Sequence, residues 1–120
     1  MSMISADGQP WVCLDPQRAL EQIGDEQAMR SMLPMLLELL ERDLPQIEAF
    51  LAQGDVHSAN GLLHSLKGCM PIFCETGLCD ALAAVEQLSK TAGSGEVNKA
   101  YAALSPKLDL LRSEVIRFLA

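Results

Sequence analysis

His64, Ser65, Leu66, Lys67 and Gly68 stand together in an otherwise acidic stretch of this chain. The spacing sets an imidazole three residues ahead of an ammonium, and the residue after the lysine has no side chain. Lys67 is the only Lys or Arg between Arg42 and Lys90, an interval that holds Asp43, Glu48, Asp55, Glu75, Asp80 and Glu86. An imidazole, with an ordinary pKa of about 6.5, offers a nucleophilic nitrogen near neutral pH. An ammonium one helical turn away can neutralise the oxygens of an anionic group. This pair suits attack on an acyl phosphate, which would place a phosphoramidate on the ring. The single anion it is built to handle is read as a phosphoryl group.

A histidine with a nearby lysine is commonplace on helix surfaces, so the surroundings have to carry the argument. At about 100° per residue the helix around His64 divides into two faces. Val56, Ala59, Leu63, Leu66, Met70 and Phe73 point inward; His57, Asn60, Gly61, His64, Lys67 and Gly68 form the opposite stripe. His64 is therefore expected to be exposed, between two glycines that each cost roughly 1 kcal/mol against alanine in a helix. A bare surface around an exposed ring lets a partner approach closely. His57, Asn60, Gly61, Ser65, Gly68 and Pro71 are the expected partner contacts. His57 is a rival acceptor but has no lysine at the same spacing. His57 and His64 lie two turns apart, about 10 Å, too far to share one metal ion.

The elements that must position this face are helical throughout. Leu14-Asp15-Pro16 reads as a helix start with Asp15 as cap, and Gly24-Asp25 closes that short helix and caps the next. Met29, Leu33, Leu37, Leu40, Leu44, Ile47 and Leu51 form one buried stripe. Gln53-Gly54-Asp55 is a stop followed by the cap of the site-bearing helix. A fourth helix, from about Thr76 to Lys90, carries Leu78, Leu82, Val85 and Leu88. Ala92-Gly93-Ser94-Gly95 reads as a flexible loop. The last helix runs through Val97, Tyr101, Leu104, Leu108, Leu111, Val115 and Phe118. Pro34, Pro45, Pro71 and Pro106 fall inside these helices, where kinks or breaks are expected. The fold expected is all-α: an antiparallel four-helix bundle with a short additional N-terminal helix. Residues 1–13 are expected to be a flexible segment and 14–120 one domain.

Bulk composition narrows the function. Hydrophobic residues make up 49% of the chain but aromatics only 4%, so the core must be built from Leu, Ala, Met and Val. A formal net charge of −7 argues against nucleic acid, whose phosphates demand clustered Lys and Arg, and against an anionic membrane surface. No apolar run reaches the ~18 residues of a spanning helix, and residues 1–10 lack the basic start and apolar stretch of a signal peptide. The expected location is cytoplasmic, including that of a cytoplasmic domain of a longer membrane-bound protein. Cys69, Cys74 and Cys79 are five apart, which on one continuous helix turns each by about 140° from the last. They are read as buried or half-buried thiols, with no metal site. No nucleotide-binding glycine loop and no Ser/His/Asp or paired-carboxylate arrangement marks an autonomous enzyme.

With these residues in place the chain resembles a histidine phosphotransfer (HPt) domain of bacterial multistep phosphorelays. The resemblance rests on His64, Lys67 and Gly68, matching His-x-x-Lys-Gly on the second bundle helix. It extends to the long helix before them, the Gly54-Asp55 turn and the apolar Leu78. Cys69, Met70 and Pro71 stand where the family usually has small residues, Cys74 replaces a common glycine, and Glu75-Thr76-Gly77 follows it. The resemblance implies that His64 accepts a phosphoryl group from a receiver-domain aspartyl phosphate and passes it to another receiver. Lys67 would stabilise the group and Gly68 would clear space. Partners would be receiver domains of response regulators or hybrid sensor kinases. The chain itself would be a monomeric phosphocarrier without kinase activity or cofactor, the Mg²⁺ being on the receiver. The competing expectation is a helical adaptor that binds a receiver or kinase through the same face without carrying phosphate.

Overall fold

Five helices account for most of the chain in the computed structural model, which describes residues 10–120: α1 (Pro16–Ile23), α2 (Glu26–Ala52), α3 (Val56–Cys69), α4 (Thr76–Leu88) and α5 (Ser94–Leu119). Their starts are set by side-chain caps. Asp15, Asp25 and Asp55 accept from the backbone N–H groups of Arg18, Ala28 and Ser58 at 3.0, 2.9 and 3.1 Å, and Glu75 caps α4 through Gly77 and Leu78. Gly24 and Gly54 occupy left-handed backbone, φ 87° and 78°, at the turns that end α1 and α2. α5 opens at Ser94, so Ser94 and Gly95, expected in a loop, form its first turn instead.

α2 packs against α5 and α3, α3 against α4, and α4 against α5, which closes the four-helix ring; α1 lies across α2. The core runs through all of them, with Met29, Leu40, Ile47, Leu63, Leu66, Met70, Leu82 and Leu108 fully buried. In α2 the buried position is Leu36 and not Leu37, which is only half-buried. The 3.6-residue period carries the stripe from Leu33 through Leu36 to Leu40. No helix among the described residues is long and apolar enough to cross a membrane.

The prolines behave differently from one another. Pro34, Pro45 and Pro106 leave α2 and α5 continuous, so none of them breaks its helix. Each of them is exposed, as are Arg30, Glu41 and Ala102 four residues earlier, so water can satisfy the carbonyls left without an intrahelical donor. Pro71 does end α3: the chain tightens into a 3₁₀ turn over Met70–Ile72 before α4 begins.

The expected flexible segment 1–13 needs correcting at its end, residues 1–9 lying outside those described. Cys13 and Leu14 are buried, and Trp11 packs edge-on against Phe118 with ring centroids 5.6 Å apart. The buried carboxylate of Glu114 on α5 accepts three backbone N–H groups, from Val12, Cys13 and Leu14, each at 2.8 Å. Opposite, Glu75 donates its N–H to the Cys13 carbonyl at 2.9 Å and Asp15 donates to that of Phe73 at 2.7 Å. Hydropathy gave no sign of this clasp, because it is made of backbone groups and one distant acid.

Candidate functional site

α3 buries Ala59, Leu63 and Leu66 on one side and turns His57, Gly61, His64 and Gly68 to solvent on the other. Burying each large aliphatic side chain contributes roughly 1.5–3 kcal/mol, against ~1 kcal/mol lost at each helical glycine. The core therefore outweighs the two glycines and the helix holds. A Cβ built at Gly61 or at Gly68 meets nothing within 4 Å. Neither glycine is demanded by packing inside this chain, and both leave open surface beside His64.

The His64 side chain is 70% exposed, and its Nδ1 lies 3.1 Å from Oε1 of Glu86 on α4. Glu86 is fully buried. Three cationic or protonatable groups converge on it: His64, Lys67 with Nζ 3.7 Å from Oε2, and Lys90 with Nζ 3.6 Å from Oε1. Burial on its own would raise the Glu86 carboxyl. The hydrogen bond from His64 and the charges of Lys67 and Lys90 outweigh that and hold it below the usual carboxylate range. An ionised carboxylate only accepts hydrogen bonds, so Glu86 selects the tautomer with the proton on Nδ1. The lone pair is then on Nε2, the ring nitrogen that Glu86 does not engage.

Sequence reasoning placed His64 and Lys67 correctly on one face but treated Lys67 as an isolated cation. In the folded chain Lys67 and Lys90 share a buried anion. Glu86 and Lys90 were missed as site residues because Glu86 is 22 residues from His64, on another helix. The available signal was an acid beside the Leu82–Val85 stripe with a lysine four residues on.

Asn60, expected to contact a partner, is half-buried and also braces the site. Its Nδ2 donates to Ser89 Oγ at 2.8 Å and to the Glu86 carbonyl at 3.3 Å, tying α3 to α4 beside the carboxylate. Ser65 is exposed and its hydroxyl donates to the Gly61 carbonyl at 3.2 Å. Pro71 is half-buried and its carbonyl accepts from Arg18 Nε at 2.9 Å. His57 is exposed two residues after the Asp55 cap, whose carboxylate is held low chiefly by the hydrogen bonds it accepts from Ser58. Among the described residues no group of three or more His, Cys, Asp or Glu is arranged to hold a metal ion.

Comparison with known proteins adds a family. The family model described as the Hpt domain matches residues 31–119, from the second turn of α2 to the end of α5. No curated protein and no solved structure matches the chain.

Proposed function

The chain belongs to the Hpt domain family, and on that premise we propose that His64 is its phosphoryl acceptor, reacting through Nε2. Domains of this family serve histidine phosphotransfer in phosphorelays, act as phosphocarriers and not as kinases, and interact with receiver domains. The observation that carries the assignment is the exposed ring held by a buried carboxylate at Nδ1.

In the proposed step the Nε2 lone pair attacks the phosphorus of a receiver's aspartyl phosphate. The P–N bond forms while the bond from phosphorus to the aspartyl oxygen breaks, its electron pair returning to the receiver's carboxylate. The Nδ1 proton stays in place, so the ring becomes cationic, and the Glu86 carboxylate lies against that charge. Lys67 and Lys90 border the same carboxylate and offer positive charge to the phosphoryl oxygens. The reverse step delivers the group to a second receiver. Mg²⁺ is expected on the receiver, and this chain is expected to need no cofactor of its own. Gly61, Ser65, Gly68 and His57 are the surface the receiver would cover. Its footprint would continue past Gly68 onto Cys69 and Met35, a methionine 70% exposed beside the same helix.

The test is transfer of label from phosphorylated receiver domains to this protein, comparing wild type with His64→Gln. Acid-labile label on wild type alone is the expected result. Label on both would move the acceptor, with His57 the first residue to examine. No label on either, across several receivers, would favour a helical adaptor that docks without carrying phosphate.

A further inference from the structure

The five-residue spacing of Cys74 and Cys79 separates two thiols on a continuous helix, but here the chain is not a continuous helix. Glu75 is the N-cap of α4, so Cys74 precedes the cap and Cys79 is the fourth helical residue. Side chains at these two positions meet across a helix start, the arrangement that elsewhere forms a hydrophobic staple. In this chain both members are cysteine. Cys79 Sγ lies 3.8 Å from the Cys74 carbonyl oxygen, so the Cys79 side chain folds back over the residue before the cap. Cys74 is fully buried and Cys79 half-buried, so Cys79 is the member of the pair nearer to solvent.

The surroundings favour reaction at Cys79. Arg18 on α1 bridges to the Pro71 carbonyl at 2.9 Å and to Thr76 Oγ1 at 3.3 Å, which brings a guanidinium to the start of α4. The neighbouring Cys74 side chain is the first influence lowering the Cys79 thiol, and Arg18 adds to it. Partial burial and the charges of Glu75 and Asp80 work the other way without overturning the direction. Cys74 is pushed up by the neighbouring Cys79 side chain and by burial. One thiol is thus disposed to ionise and its neighbour to keep its proton.

We propose that Cys74 and Cys79 are an oxidisable dithiol, with Cys79 as the residue that meets a hydroperoxide and Cys74 as the residue that closes the disulfide. The Cys79 thiolate attacks one peroxide oxygen and the O–O bond breaks, leaving a sulfenic acid and releasing hydroxide or alkoxide. The Cys74 sulfur then attacks the Cys79 sulfur; the S–S bond forms, the S–O bond breaks, and the oxygen leaves as water with the Cys74 proton. The two sulfurs lose two electrons in total and the peroxide takes them up. This reaction needs neither a receiver nor a phosphoryl group, so it stands apart from the assignment of His64.

The experiment treats the full chain with hydrogen peroxide, blocks remaining thiols with an alkylating reagent, and reads intact mass and peptide linkages with and without a reductant. The chain has four cysteines, all free. The expected product has lost the mass of two hydrogens, retains two alkylatable thiols, and yields a Cys74–Cys79 linked peptide that the reductant separates. Cys79→Ser should remove this product, while Cys69→Ser and Cys13→Ser should keep it. Cys79→Ser alters only a half-buried side chain, and circular dichroism checks that it folds. Four thiols still alkylatable after peroxide, oxygen added to sulfur without a disulfide, or a linkage through Cys69 or Cys13 would each overturn the proposal.

Discussion

Glu86 is fully buried, yet its Oε1 lies 3.1 Å from Nδ1 of His64, whose side chain is 70% exposed. A carboxylate with no exposed surface is thereby tied to an imidazole that faces solvent. The carboxylate fixes the ring's tautomer and orients it across the gap between α3 and α4, and on the proposed assignment it would face the positive charge that phosphorylation of His64 develops.

Glu86→Gln should retain an acceptor for the Nδ1 proton while losing the charge, and Glu86→Ala should lose both. Transfer to His64 should fall in both variants, and further in Glu86→Ala, by about 10–100-fold, the loss typical when the carboxylate that orients a metal-bound imidazole is removed. Single-turnover rates from a phosphorylated receiver read this directly. Wild-type rates in Glu86→Ala would remove Glu86 from the mechanism.

Lys67→Ala should slow transfer without abolishing it, by about tenfold, or ~1.4 kcal/mol of barrier. Lys90 remains 3.6 Å from the same carboxylate and keeps some positive charge near the ring. A rate equal to wild type would show that Lys67 serves only to neutralise Glu86.

Gly68→Gln separates folding from function by sign. A Cβ at this position meets no atom within 4 Å, and replacing a helical glycine recovers up to about 1 kcal/mol. Thermal unfolding should therefore occur at the same or a higher temperature, while receiver-dependent phosphorylation falls because the new side chain stands beside His64. A destabilised variant would mean that Gly68 is required by packing instead.

The pH dependence has a defined sign. Glu86 is held below its ordinary value of 4.5, so the folded state binds its proton less readily than the unfolded state does. Its contribution to stability is present above that ordinary value and is lost as pH falls through the lower folded one. The stability difference between wild type and Glu86→Gln should shrink as acidification carries Glu86 through its titration, because a protonated Glu86 comes to resemble glutamine. His64, Lys67 and Lys90 all face this carboxylate. A difference that stays constant throughout denaturant titrations at falling pH would contradict the assignment.

The legible parts of this molecule were those written locally. Caps at Asp15, Asp25 and Asp55, glycine turns at Gly24 and Gly54, and the period of the apolar stripes gave the helices and the exposed face of His64. Side-chain burial at Leu36 in preference to Leu37 depended on how α2 is rotated against its neighbours, which periodicity fixes only to about one residue. Pro106 was overread because its effect depends on whether the carbonyl of Ala102 faces water. Glu86, Asn60 and Ser89 acquire their roles only when α3 and α4 are set side by side. The meeting of Cys74 with Cys79 was missed because their spacing was judged as on one continuous helix, although a new helix was already expected from about Thr76.

The clasp around Glu114 has a consequence for how the chain reaches this state. Its three bonds join residues 102, 101 and 100 positions apart, among the longest closures the described residues make. Contacts of such range are slow to find and bring no benefit until the intervening loop has closed. During synthesis, Val12, Cys13 and Leu14 emerge early but must wait for α5 before their amides gain these acceptors. The earliest part of the described chain is therefore among the last to be secured, and a nascent chain halted before Glu114 would leave it undocked.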